Sequence, residues 1–309
     1  MDFFTQELKR LLEERLHEEA GVKLECITKA NRQSVPALTI RGMQKNVSRV
    51  FYVKEYYDRF HDGMALDDIV TEIINAYRQD PNLSNPSILD LGDILLHYEA
   101  VKDRLCIRLV NYEHNREYLK GKFYTRFLDL ACCLCLFVDR TPSQIVTLTP
   151  PREIINQWNI PPETLMQTAR KNMVSLLPAQ VFLLEDKLRE LFQGLEFSQY
   201  VNSPDFSTGI DIYVITNDRY HFGSSAVLYE NLLRDFADEK GVDELILLPV
   251  SLHEMLAVPC TDSILPSFCR MMMEGFAYDP AAPANFLSSQ TYIYSRKTNQ
   301  IDYLLDDGK

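Results

Sequence analysis

Phe4, Leu8, Leu11, Leu12 and Leu16 recur at helical spacing, with Glu, Lys and Arg on the other side. The pattern predicts an amphipathic helix over residues 2–20, ended by Gly21. Short alternating runs at 22–28, 36–41 and 48–53, separated by Asn, Gly and Lys turns, predict an antiparallel meander. Leu66, Ile69, Val70, Ile73, Ile74 and Tyr77 form an i, i+3, i+4, i+7 stripe, with Asp67 and Asp68 well placed in the first turn. A second such stripe runs from Ile88 to Tyr98. Further on, the pattern predicts a strand at 104–110, a strongly apolar helix at 123–138 and a strand at 145–148. Helices at 152–158, 162–176 and 178–194 follow, the second opened by Pro161-Pro162 because proline fits a first helical turn.

Around 197–207 the composition shifts to Ser, Asn, Pro, Asp and Gly, which marks a candidate domain boundary. Beyond it the expected order is strand 210–216, helix 225–240 capped by Gly241, strands 244–248 and 255–258, helix 264–276, and a hairpin of 291–295 with 301–305. The expected fold class is therefore α+β. A mixed helical and antiparallel-strand N-terminal region spans 1–200, and a β-α-β-β-α-β(-β) two-layer sandwich of split-βαβ kind spans 205–309.

Composition adds constraints. At 309 residues with 46% hydrophobic positions the chain buries a sizeable core without disulfide or metal. The net charge is −12, and the segment from Asp205 to the end carries 16 acidic against 7 basic residues. That sign repels phosphate backbones and anionic bilayers, so neither nucleic acid nor membrane is an expected partner. Seven cysteines, an odd number lying mostly in apolar runs, read as reduced and buried thiols. No basic leader or span-length apolar run is seen, and the expected location is the cytoplasm.

Candidate chemistry is sparse. The corner 247–259 carries His253-Glu254, where an imidazole beside a carboxylate suits a general base, although neighbours on an extended chain face opposite ways. Ala257 stands where a zinc-protease helix would need its second histidine. Cys132, Cys133 and Cys135 have apolar flanks and no further ligands at zinc spacing, so they read as core. Strand 104–110 runs into Asn111 and Asn115, either binding residues at a strand end or caps of the next helix. Asp129, on the apolar helix, is expected to pair with Arg126. Asn217 opens a tight turn, and Gly223-Ser224-Ser225 resembles only weakly an anion-holding helix start. The candidate surface is thus His253, Glu254, Ser251, Asn111, Asn115 and Asn217, with no metal site and no cofactor expected.

Five stretches, 108–115, 127–131, 168–172, 217–229 and 248–254, resemble in order an uncharacterised family of intracellular proteins from gut Clostridia, a domain of unknown function. The likeness runs from about Val22 to Leu304. It implies a bacterial cytosolic protein with an α+β C-terminal unit and lends no catalytic residues. The usual Ser-Ser ahead of the His-Glu pair is Val250-Ser251 in this chain. Two functions remain open. One is a non-enzymatic, macromolecule-binding regulatory or accessory protein with a protein partner or a second copy of itself. The other is a hydrolase or transferase with His253 as general base.

Overall fold

A computed structural model describes residues 2–28, 30–31, 34–43, 48–80, 94–140, 145–191, 210–261 and 284–304. The chain divides into two compact units, Met1–Ala100 and Val101–Lys309. Both combine helices with antiparallel sheets, the α+β class. The boundary expected near 197–207 lies outside the described residues, as does the helix expected at 264–276 and most of that at 88–98.

In the first unit, helix α1 (Asp2–Leu16) buries Phe4, Leu8, Leu12 and Leu16. It ends earlier than its charged pattern predicts. Ala20 and Val22 are buried on alternate positions, so the chain changes to period two and Gly21 lies inside a strand rather than at a cap. Strands β1 (Ala20–Thr28), β2 (Ser34–Gly42) and β3 (Ser48–Tyr52) form the meander the sequence predicts, with Leu24 opposite Leu38 and Leu38 opposite Phe51. Helices α2 (Val53–His61) and α3 (Leu66–Arg78) complete the unit. Ile69, Val70, Ile73 and Ile74 of α3 join Leu8, Leu12, Leu38 and Ile40 in one apolar cluster.

The second unit holds two sheets. Strand β4 (Leu105–Asn111) lies along β6 (Leu130–Arg140), which also pairs with β5 (Tyr124–Phe127) and β7 (Ile145–Leu148). This corrects the helix expected over 123–138. Phe127 pairs with Leu130 across a two-residue turn, and Leu128 takes the left-handed φ of 53°. A continuous apolar run of nine residues suits a strand covered on both faces as well as a buried helix, and the pairing with β4 decides it. Helices α4 (Arg152–Gln157) and α5 (Pro162–Leu176) follow as predicted. Asn172 on α5 ties it to the chain entering β4, donating to the carbonyls of Lys102 (2.6 Å) and Leu105 (3.1 Å).

The helix expected over 178–194 is instead a strand, β8 (Ala179–Leu183), followed by helix α6 (Leu184–Leu191). Val181 and Phe182 fit a pleated surface, and β8 pairs residue for residue with β9 (Tyr213–Asn217). The helix expected over 225–240 is broken in two. A 3₁₀ segment, Gly223–Leu228, precedes Asn231 at φ 66°, which resets the chain into α7 (Leu232–Lys240). Gly241 at φ 67° closes α7 as expected. Strands β10 (Glu244–Leu248), β11 (Met255–Pro259), β12 (Tyr292–Ser295) and β13 (Gln300–Tyr303) complete a six-stranded antiparallel sheet in the order β13-β12-β10-β11-β9-β8. Strands β9 and β10, joined through α7, flank β11. Because β8 belongs to this sheet, strands from both sides of residue 200 share one structure.

Candidate functional site

Strand ends of the second unit bring together most of the polar residues singled out from the sequence. The turn after β9 is built by Asn217. Its Oδ1 accepts from the backbone N–H of Arg219 (3.0 Å) and His221 (3.3 Å), and its Nδ2 donates to the His221 carbonyl (2.9 Å). Asn217 is fully buried, a side chain replacing backbone partners inside a turn. Tyr220 and Phe222 both adopt left-handed φ values of 52°, so this turn holds strain that Asn217 offsets. Gly223 follows because nothing larger fits. A Cβ at that position meets Thr216 Oγ1 at 2.2 Å, the His253 carbonyl at 2.5 Å and the Asn217 nitrogen at 2.8 Å. The neighbouring hydroxyls are spent as ties, Ser224 on the Leu252 carbonyl (2.8 Å) and Ser225 on the Phe222 carbonyl (2.7 Å).

The β10–β11 corner docks on this turn. Ser251 Oγ accepts from the N–H groups of both His253 and Glu254 at 3.1 Å, which makes it the organiser of the corner. Thr216 Oγ1 donates to the His253 carbonyl at 2.8 Å. The Phe222 N–H donates to His253 Nδ1 at 3.2 Å, so the neutral ring carries its proton on Nε2, facing Asn285 Oδ1 at 3.3 Å. Its ring sits 5.6 Å from those of both His221 and Phe222. Burial, with His253 and Arg108 adding to it, depresses His221 from 6.5 to about 4. Arg108, on β4 of the other sheet, lays its guanidinium 4.3 Å over the Phe222 ring and donates to Thr149 Oγ1 at 3.2 Å.

Asn111 and Asn115 sit at the other end of β4. Asn115 donates to the Asn111 carbonyl (2.8 Å), and Asn111 Oδ1 accepts from the His114 N–H (3.0 Å), so neither side chain caps the short helix Arg116–Leu119. Asn111 Nδ2 reaches Asp129 at 3.3 Å. The ion pair expected between Asp129 and Arg126 is not formed. Arg126 lies 3.7 Å over the Tyr112 ring and donates to the Leu128 carbonyl, while Asp129 accepts from Ser288 (2.7 Å) and Tyr292 (2.6 Å). With Leu128 left-handed, the hairpin turns the carboxylate towards the segment entering β12 instead of back along its own strand. Burial, and then Asp129, hold the Tyr292 phenol well above its usual range. His114 stacks on Phe286 at 4.6 Å, adding a second tie to that segment.

A cavity of about 870 Å³ opens elsewhere on this unit. Its walls come from Phe127 on β5, Gln167, Arg170 and Lys171 on α5, the 227–231 turn, Leu233, Tyr294 on β12 and residues 299–302 of the β12–β13 hairpin. Sequence reasoning missed this cavity. Arg170-Lys171 lay inside one of the five stretches, but its facing residues come from distant segments. His253 is not among its lining residues. Among the described residues no cluster of His, Cys, Asp or Glu is arranged to hold a metal ion, and no helix is long and apolar enough to cross a membrane. Cys132, Cys133 and Cys135 are buried in β6, as their flanks predict.

Fold and site together define an α+β protein of two compact units, the second carrying a polar strand-end cluster and an open cleft. The chain belongs to a family of unknown function (DUF5688), whose sequence pattern matches residues 1–296. No curated protein and no solved structure matches it.

Proposed function

We propose that this chain is a cytosolic, non-enzymatic binding protein, a regulatory or accessory factor that engages a macromolecule through the cleft of its second unit. The observation that carries the reading is how the polar groups are divided. At the strand ends Asn111, Asn115, Asn217 and Ser251 use their side chains to hold the protein's own loops, and His253 has both ring nitrogens engaged. The cleft, by contrast, exposes Lys171, Glu230, Gln300 and Asp302 around a concave surface within the usual size range for ligand sites. Cys26, Cys106, Cys132, Cys133 and Cys135 are free thiols, which suits a reducing compartment.

Photo-crosslinking in the native host tests this. The photoreactive residue p-benzoylphenylalanine replaces Gln300 in the cleft of the full chain, or Glu239 on the exposed side of α7 as control. A discrete adduct from position 300 and none from 239 is expected. Equal adducts at both positions, or none at 300, would overturn the reading. The hydrolase or transferase alternative requires His253 Nε2, so His253→Asn, which keeps an acceptor near the Nδ1 position, separates the two.

A further inference from the structure

Some charges on the described surface of this unit are paired, as in Arg116 with Glu113 (2.8 Å), Lys120 with Glu117 (2.6 Å) and Arg296 with Asp238 (2.7 Å). The cleft gathers charges of both signs on facing elements. Arg170 and Lys171 enter it from α5, Glu230 from the turn before α7, and Asp302 from β13. Among the described residues no ion pair joins any of these four to one another or to a further group. Arg170 Nε is buried with no hydrogen-bond partner among the described residues. Between the charges the lining mixes apolar groups, Phe127 and Ile301 among them, with the amides of Gln167, Asn231 and Gln300.

We infer that the cleft takes a short peptide segment carrying one acidic and one basic side chain around an apolar residue. This names the partner class of the binding reading above and rests on it. A ligand of one sign meets its like in this cleft. A nucleotide or polyphosphate would bring its negative charge against Glu230 and Asp302, and a polyamine would meet Arg170 and Lys171. A mixed-charge segment satisfies both walls. The volume, about 870 Å³, lies near the upper end of small-ligand sites and has room for several residues rather than one amino acid.

The backbone supports an extended occupant. Strand β13 ends the six-stranded sheet among the described residues. The Leu304 N–H bonds to the Thr291 carbonyl, and the register pairs Ile293 with Asp302 and Tyr294 with Ile301. Bonded pairs alternate along an antiparallel ladder, so Ile301 and Tyr303 direct their N–H and C=O groups away from β12. An incoming strand pairs with such an edge while its side chains enter the adjoining cleft.

An array of capped pentapeptides, with Asp, Lys or Ser at each end and varied apolar centres, tests the inference on the full chain. Peptides with Asp at one end and Lys at the other should be retained about tenfold or more over those of single sign, since a hydrogen bond to a charged group contributes about 1.5–3 kcal/mol. Lys171→Glu should move the preference to Lys at both ends, and Asp302→Lys to Asp at both ends. Both positions are exposed, and circular dichroism checks that each variant keeps its fold. No retained peptide, retention independent of charge, or a preference unmoved by either substitution would overturn the inference. A position-300 adduct that contains nucleic acid would also overturn it, while leaving the binding reading intact.

Discussion

A Cβ added at Gly223 would have three neighbours inside 3.0 Å, whereas Gly21, Gly63, Gly121 and Gly241 have open space around them. Gly223→Ala should lower stability by about 1–3 kcal/mol or more, read as a fall in the urea midpoint. His253→Ala removes the acceptor of the Phe222 N–H and should cost about 1–3 kcal/mol, whereas His253→Asn should cost less than about 1 kcal/mol. The nitrogen NMR spectrum of the native protein should show His253 with its proton on Nε2. A proton on Nδ1 would rule out the hydrogen bond from Phe222. His221 carries a pH signature. Its folded value of about 4 lies below the ordinary 6.5, so the unfolded chain binds more protons between those limits. The stability from keeping His221 neutral is present above pH 6.5 and is lost as pH falls towards 4. Urea midpoints at pH 7 and pH 5 should therefore diverge more in the wild type than in His221→Gln, and equal slopes would contradict the burial argument. At this scale the sequence was readable where a side chain serves its own neighbourhood, as Asn217 does in the turn it opens. Asp129 was unreadable because Ser288 and Tyr292 lie 159 and 163 positions away.

Element types were legible wherever polarity alternated or a stripe recurred, as in β1, β2 and α3. The run from Leu130 to Val138 in β6 was not legible, because apolar residues on every position carry no period and Cys, Leu and Ala suit either conformation. Strand β8 escaped for a related reason: it is fixed by its pairing with β9, some 30 residues away in the chain. Enclosure of β6 between neighbouring strands has a chemical consequence. Burial pushes the Cys132 thiol up to about 12 and raises Cys133 and Cys106 well above their usual range. In a thiol-titration experiment Cys26, which is exposed, should label in the native state, and Cys106, Cys132, Cys133 and Cys135 only after denaturation. Rapid native labelling of the β6 thiols would mean the strand is not enclosed.

For the whole molecule, the division between Ala100 and Val101 and the six-stranded sheet bear on where the chain can be cut. A fragment spanning 101–309 retains every strand of that sheet. A fragment spanning 205–309 loses β8 and leaves the long edge of β9 bare. The longer fragment should give a cooperative thermal transition, and the shorter one should aggregate or melt without cooperativity. Cooperative unfolding of the shorter fragment would argue for a boundary near residue 200 after all. Arg170 and Lys171, which precede the acidic C-terminal third, place positive charge in the cleft beside Glu230 and Asp302 of that third. The most direct test of binding through that cleft is to repeat the crosslinking from position 300 in two backgrounds, Lys171→Glu and His253→Asn. The expected result is an adduct that disappears with Lys171→Glu and persists with His253→Asn. An adduct that persists with Lys171→Glu and is lost only with His253→Asn would contradict it and return the function to the strand corner.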